Sequence, residues 1–241
     1  VEALMEELYP RKAFAPLIRI GSSGDGGYLV PDDLVHVSAC FSPGVADVAD
    51  FESALLRRGI PCFLADASVE SPPIQHELLH FERRFLGVTD DEHYSTLDSW
   101  VRRNMIEGSD FILQMDIEGD EYAVLLAASP EILRRFRILV IEFHNLDRLL
   151  VPAVFDLYQN VFKKLLADFE VVHIHPNNNN AIVRWQGIEI PPVMEFSFVR
   201  KDLMPVERIY VTKFPNELDG PCAPLGAEMI LPECWYASLP R

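Results

Sequence analysis

The chain has 241 residues, 49% of them hydrophobic, which suits one α/β domain with additions and a sizeable core. Its 37 acidic side chains outnumber 21 basic ones, for a formal charge of −16. A phosphate-tracking groove would work against that field, so neither nucleic acid nor an anionic membrane is expected as a partner. No apolar run reaches transmembrane length and no secretory leader is visible, so no membrane span is expected. The cysteines (Cys40, Cys62, Cys222, Cys234) lack metal-ligand spacing. A reducing compartment, and with it a cytoplasmic location, is the default for such usage, against a Cys222–Cys234 disulfide. An opening at VEALMEEL, without methionine, fits a processed form or an excised domain.

Residues 1–16 read as a helix or arm ending at Pro16. Leu17–Ile20 and Tyr28–Val30 then flank a Gly-rich turn, the pattern of a β-hairpin set ahead of the main sheet. Asp25, Gly27 and Tyr28 on that loop can reach a ligand, or the loop is a plain hairpin turn. His36–Phe41 is a short apolar run, as expected of a buried parallel strand. Ser42, Pro43 and Gly44 break it. Asp50 is placed to cap a helix with the body FESALLRR, and Gly59 to end it. Ile60–Ala65 is a second apolar strand with Asp66 at its carboxyl end and Ala67 beside it.

That order implies a ligand. In open α/β sheets, ligands bind beyond the carboxyl ends of the strands, where strand order reverses. A glycine after strand one lets a ligand approach the backbone, and an acid after strand two can accept from two ribose hydroxyls. The turn is not GxGxxG, which disfavours an NAD-dependent oxidoreductase. Asp47, Asp50 and Glu52 near it would repel a pyrophosphate, so a nucleoside bearing a cationic sulfonium fits the charge better. A βαβ unit with a surface aspartate is the plainer reading.

Prolines in SVESPPIQHELLHF mark a loop and a helix start, and Arg84–Val88 reads as the third strand. Ser95 to Asp98 matches a capping box on a helix running to about Ile106, with Leu97, Trp100, Val101 and Met105 on one face. Phe111–Met115 is a strand. Asp116, Glu118, Asp120 and Glu121 follow it, either as a solvated acidic turn or, because Asp116 directly succeeds a buried run, as a ligand edge shared with Gly44 and Asp66. Arg137–Phe143 is the fifth strand, which puts His144 at the same edge as a base candidate. Leu150–Phe169 is a long helix whose apolar stripe includes Val151, Val154, Tyr158, Phe162 and Leu165. Glu170–His175 is the sixth strand, with His173 and His175 on one side, and the asparagines after it form a loop or a rim suited to a polyhydroxylated ligand. Only a short strand, Ile182–Trp185, precedes Val193–Val199, so this seventh strand should enter antiparallel. Residues 205–241 read as a tail wrapping the domain, or as a stub towards a partner domain.

Several stretches resemble the FkbM-type methyltransferases, a branch of the class I S-adenosylmethionine-dependent enzymes. They are RIGSSGDGGYLVP, SPGVADVADFE, FLADAS, STLDSW, LQMDIEGDEYAVL, VIEFHNL and HIHPNNNN with PPVMEFSFVRKDL, together covering about residues 17–203. MDIEGDEY is the most specific. The resemblance implies an α/β fold: a Rossmann-like class I methyltransferase sheet, mostly parallel, of seven strands with the last antiparallel. Helices would flank it and an N-terminal β-hairpin precede it. The organisation expected is an arm and hairpin (1–35), a methyltransferase domain (36–204) and a C-terminal wrapping extension (205–241).

The resemblance also implies roles. S-adenosyl-L-methionine would be the cofactor, with Ser42 and Gly44 lining its methionine part. Glu52 would support that turn or hold the amino group, Asp66 the ribose hydroxyls, and Asp116 would lie beneath the sulfonium and the acceptor. Asp25, Gly27, Tyr28 and Ala67 complete the candidate cofactor contacts. Pro43 departs from the expected pattern, because proline has no N–H to give the cofactor. The acceptor implied is a hydroxyl of a sugar, glycan or natural product, and Trp185 with the asparagines favours a saccharide unless Trp185 is core. Two ways of taking the hydroxyl proton stand side by side. One is His144 or His175 as base, with Asp116 orienting it. The other is a divalent cation such as Mg²⁺, Mn²⁺ or Ca²⁺ on Asp116, Glu118 and His144. A non-catalytic nucleoside-binding or scaffold module of a glycan-assembly protein is the alternative function.

Overall fold

The structure, a computed structural model, describes residues 1–104, 110–223 and 226–238. A short helix α1 (Glu2–Glu7) leads into the antiparallel hairpin β1 (Leu17–Gly21) and β2 (Gly27–Pro31). Arg19 explains the hairpin's tight Gly-rich loop. Its guanidinium donates to the Ser22 and Gly24 carbonyls at 2.6 and 2.8 Å, satisfying loop acceptors that no strand can reach.

Strand β3 spans Ala39–Pro43, three residues later than the sequence suggests, because a 3₁₀ turn occupies 34–36. Ser42 and Pro43 therefore belong to the strand. Pro43 costs the ladder nothing, since Gly44 N donates to Ala65 O (3.1 Å) in the next register position. Helix α2 (Asp50–Leu56) begins one residue earlier than predicted, with Ala49 at the N-cap and no side-chain cap from Asp50. Gly59, at φ +77°, ends that segment as expected. Strand β4 (Cys62–Ala65) follows.

The next sheet strand is β5 (Leu79–Glu82), not 84–88, and no helix occurs among residues 67–78. β5 is a sheet edge and none of its four residues is fully buried, so its sequence carries no apolar run. Phe85–Gly87 (β6) pairs instead with Tyr94–Thr96 (β7) in a separate two-stranded parallel ladder. Helix α3 (Leu97–Asn104) is capped by Thr96, whose Oγ1 accepts from Ser99 N, rather than by Ser95. Met105 and Ile106 of the predicted helix lie outside the described residues.

Strand β8 (Phe111–Met115), helices α4 (Glu121–Ala127) and α5 (Pro130–Leu133), and strand β9 (Phe136–Phe143) complete the parallel part. Helix α6 (Pro152–Asp168) starts at its proline, which leaves Val151 exposed at the N-cap and outside the apolar stripe. Strand β10 (Phe169–Pro176) is followed by the hairpin β11 (Val183–Trp185) and β12 (Ile188–Ile190), then by β13 (Met194–Arg200).

The seven-stranded sheet has the order β10-β13-β9-β8-β3-β4-β5, parallel except for β13, which runs antiparallel to both neighbours. This is the Rossmann-like class I methyltransferase topology that the resemblance implies. Alternation sends Phe41, Leu113 and Ile141 to one core, under α3, α4 and α6, and Cys40, Ile112 and Val140 to the other, under α2 and the hairpin. The described residues beyond 204 lie along the domain. Val211 N donates to Pro10 O at 2.8 Å, and Trp235, fully buried, packs edge-on against Phe196.

Strand order reverses between β3 and β8, and there the chain is tightest. Gly44 adopts φ +83°, and a Cβ on it would lie 1.5 Å from the Asp116 carbonyl oxygen. The two strand ends cannot separate to admit it without losing Asp116 N to Pro43 O. Gly44→Ala is therefore expected to cost about 2–5 kcal/mol from strain plus overlap. Thermal unfolding should show this as a Tm lowered by roughly 5–15 °C.

Candidate active site

The carboxyl ends of β3, β4 and β8 open into a cleft of about 630 Å³ lined by Gly44, Asp66 and Asp116, as strand-end geometry predicts. Asp25, Tyr28 and Glu52 also line it, and Phe85, Leu86 and Tyr94 give it an apolar wall. Eight lining residues are acidic and none is Lys, Arg or His. Such a lining repels a phosphate and attracts a cation.

Each carboxylate is held by its own local chemistry. Asp66 accepts from Ala46 N (2.8 Å) and Ser68 N (2.7 Å), one on each oxygen, which fixes its plane and leaves a lone pair on each for a ligand. The buried Ser42 hydroxyl sits between Glu52 and Gln114, and Gln114 Nε2 donates to Tyr28 Oη at 3.3 Å. Burial pushes the Glu52 carboxyl up, against the lowering hydrogen bond from Ser42. Asp25 is likewise raised, mainly by burial.

At the cleft's inner end, Asp116 meets His144. His144 Nε2 lies 3.9 Å from Asp116 Oδ1 and 3.6 Å from Glu118 Oε2, and Nδ1 lies 3.2 Å from Glu121 Oε1. Glu121 is fully buried, and the same oxygen accepts from Ile117 N and Gly119 N, both at 3.1 Å. The left-handed Glu118 (φ +57°) and Gly119 (φ +112°) shape this turn. Tyr122 Oη donates to the His144 backbone carbonyl at 2.9 Å, so the main chain is held by Tyr122 and the imidazole by Glu121. Asp116 Oδ1 is buried without a hydrogen-bond partner. Burial raises the Asp116 carboxyl to about 7, against the lowering charge of His144. For His144, burial lowers the pKa, but the Glu121 hydrogen bond and the charges of Glu121, Asp116 and Glu118 outweigh it and raise it.

Other sequence-predicted residues fall elsewhere. Ser42 is one layer beneath the cleft. Gly27 is buried in β2, and a Cβ there would lie 2.0 Å from Ser22 O. Ala67 lines a neighbouring depression with Arg83, His93 and Tyr94. Asp116, Glu118 and His144 do gather, their ligand atoms all within 4.8 Å of one another.

His175 does not join them. It is buried, with Nδ1 3.1 Å from Glu195 Oε2 and Nε2 2.8 Å from Glu228 Oε1. Burial lowers its pKa, but Glu195, Asp219 and Glu228 overcome this and bring it to about 9. A histidine protonated at neutral pH and engaged on both nitrogens is not a general base, so that assignment is withdrawn. Two of the four rim asparagines are engaged within the protein. Asn177 donates to Glu142 (3.0 Å), and Asn178 holds residues 223 and 227 of the extension. Trp185 is 56% exposed, not core.

Gln114, Glu142 and Glu195 were not singled out from the sequence. The signal for the two glutamates is present: each is an acid inside a strand run, RILVIEF and VMEFSFV, that is mostly apolar.

The model of the methyltransferase FkbM domain family matches residues 62–156. A comparison with curated proteins gave no match. Among solved structures, the chain is similar to a fibrillarin/Nop5p complex at 10% identity, covering 68% of this chain and 72% of that one, with a TM-score of 0.40. It is also similar to an rRNA methylase from Streptococcus thermophilus at 9% identity, covering 83% and 93%, with a TM-score of 0.38. A putative RNA methyltransferase from Pyrococcus horikoshii follows at 9% identity, 68% and 76% coverage and a TM-score of 0.36. At such scores these likenesses say nothing of the acceptor.

Proposed function

The resemblance in the sequence and the family match over residues 62–156 agree on an FkbM-type methyltransferase, and from that premise we infer an S-adenosylmethionine-dependent O-methyltransferase acting on a hydroxyl-rich acceptor. The observation that carries this reading is the meeting of Gly44, Asp66 and Asp116, from three adjacent strand ends, in one cleft without a basic side chain. The residues fit the cofactor. Gly44 leaves backbone open where any side chain would collide, Asp66 has free lone pairs for a ribose diol, and the acidic lining suits a sulfonium.

The cofactor supplies an electrophilic methyl group and leaves as S-adenosylhomocysteine. The protein aligns the acceptor oxygen and takes its proton. Asp116 and His144 are the groups placed for that, with Glu121 holding the imidazole. The acceptor hydroxyl gives its proton to this pair as the carbon–oxygen bond forms. A sugar or glycan hydroxyl suits the carboxylate-lined cleft better than a phosphodiester does, because hydroxyls donate to carboxylates while phosphates are repelled. Trp185, exposed at a hairpin end, is available to stack on a pyranose face.

Release of S-adenosylhomocysteine, measured with a panel of sugars and glycans, tests the reading. Turnover is expected with at least one of them, and to proceed without added Mg²⁺, Mn²⁺ or Ca²⁺. Activity lost to chelation and restored by Mn²⁺ would move the role of the Asp116–Glu118–His144 cluster from base to cation site. Cofactor binding without turnover on any acceptor would favour the scaffold alternative.

A further inference from the structure

Beside the cleft, at the carboxyl end of the edge strand β10, lies a second cluster to which the methyl-transfer reading gives no task. His175 on β10, Glu195 on β13 and Cys222 on the C-terminal extension are all buried, and their ligand atoms lie within 4.8 Å of one another. We propose that His175, Glu195 and Cys222 form a zinc site that clips the C-terminal extension to the edge of the sheet.

Three features of the cluster carry the proposal. The first is spacing. Ligand atoms about 2.0–2.3 Å from a tetrahedral zinc ion are about 3.3–3.7 Å apart. Here Cys222 Sγ is 3.7 Å from His175 Nδ1 and 3.4 Å from Glu195 Oε1, and His175 Nδ1 is 3.1 Å from Glu195 Oε2. His175, Glu195 and Cys222 each supply one donor, which leaves the fourth position of a tetrahedral ion to water.

The second is the imidazole's orientation. Glu228 Oε1 sits 2.8 Å from Nε2, the nitrogen turned away from the cluster. A carboxylate on the remote nitrogen fixes the tautomer that presents Nδ1 to a metal. Glu228 comes from the same extension as Cys222, so one segment supplies both the thiol and the outer carboxylate.

The third is charge. Glu195 lies opposite Glu142 in the β9–β13 register, and both are buried. Among the described residues, none of the ion pairs made by Glu142, Glu195 or Glu228 involves Lys or Arg. Glu142 Oε2 and Glu228 Oε2 are buried without hydrogen-bond partners. Among the described residues these carboxylates have only imidazoles as cationic partners, and a divalent ion in place of the His175 Nδ1 proton brings more positive charge to them. A thiol with an imidazole selects zinc over magnesium or calcium, which prefer oxygen alone. Binding releases the Cys222 thiol proton and the proton on His175 Nδ1, and leaves Nε2–H on Glu228.

The clip has a structural consequence. A Cβ on Gly24 would lie 3.3 Å from Pro221 O and 3.7 Å from Cys222 O, so the clipped segment backs the Gly-rich loop. That loop carries Asp25 into the cleft.

Elemental analysis of the full chain after desalting, together with Co²⁺ titration of the metal-free chain, tests the proposal. The expected result is one zinc per chain, and a thiolate-to-cobalt charge-transfer band on Co²⁺ addition. Cys222→Ala should abolish the band and weaken zinc binding at least roughly 100-fold, whereas Cys234→Ala should leave both unchanged. Zinc should raise the Tm of the wild type and not of Cys222→Ala. No retained zinc with no charge-transfer band in the wild type overturns the proposal whether or not the variants fold, leaving the cluster a hydrogen-bonded pin. A band that survives Cys222→Ala overturns it equally.

Discussion

Asp66→Ala is expected to weaken S-adenosylhomocysteine binding by roughly 100-fold. The carboxylate stands at the carboxyl end of β4 with one backbone N–H on each oxygen, from Ala46 and Ser68. Each oxygen keeps accepting capacity, and Asp66 lines the cleft. Charge-assisted hydrogen bonds contribute about 1.5–3 kcal/mol each, so two ribose hydroxyls account for at least two orders of magnitude in Kd. Asp66→Asn should fall between wild type and alanine, because the amide keeps one acceptor and sets a donor against the N–H of Ala46 or Ser68. Calorimetry or a ligand-induced Tm shift reads the effect. At a fixed ligand excess, a 100-fold loss removes about 2.7 kcal/mol of apparent stabilisation. NAD should give no shift with either protein, since its pyrophosphate meets a lining of eight acidic and no basic residues. Wild-type affinity in Asp66→Ala would remove the ribose assignment and with it the nucleoside reading of the cleft.

That cleft was legible in the sequence because strand ends are. Gly44, Asp66 and Asp116 each follow a short apolar run, and parallel strands deliver their carboxyl ends to one edge. His144 followed from the same rule. The losses have equally physical causes. Strand β5 has no run to find, because an edge strand is half solvated on both faces. His175 was assigned the correct side of its strand by alternation, but alternation is blind to what covers that side. Its partner Glu228 is 53 residues away, in a segment without periodicity. Asn177 and Asn178 failed in the same way. Their amides looked free for a ligand, and tertiary contacts with Glu142 and the extension engaged them first. Residues whose role depends on neighbours along one element could be read. Those whose role depends on a distant loop could not.

Asp116→Asn and His144→Ala should each lower kcat about 100-fold or more, the scale of a lost proton acceptor, and should move the acid limb of the pH–rate profile in opposite directions. In the wild type the pair titrates together, so the limb belongs to both groups. With burial raising Asp116 to about 7, activity is expected to fall as pH drops through that value. The signs for the variants follow from the couplings. His144 lowers the Asp116 pKa, so its removal lets burial raise that carboxyl further, and the limb shifts to higher pH in His144→Ala. Asp116 raises the His144 pKa, so its neutralisation lets the imidazole deprotonate more easily, and the limb shifts to lower pH in Asp116→Asn. A merely structural role would depress kcat in both variants without separating the limbs. Measuring kcat from pH 5.5 to 9 with saturating cofactor distinguishes the two. Limbs that coincide would mean that the proton leaves by another route, and Asp116 would then keep only its electrostatic role towards a sulfonium.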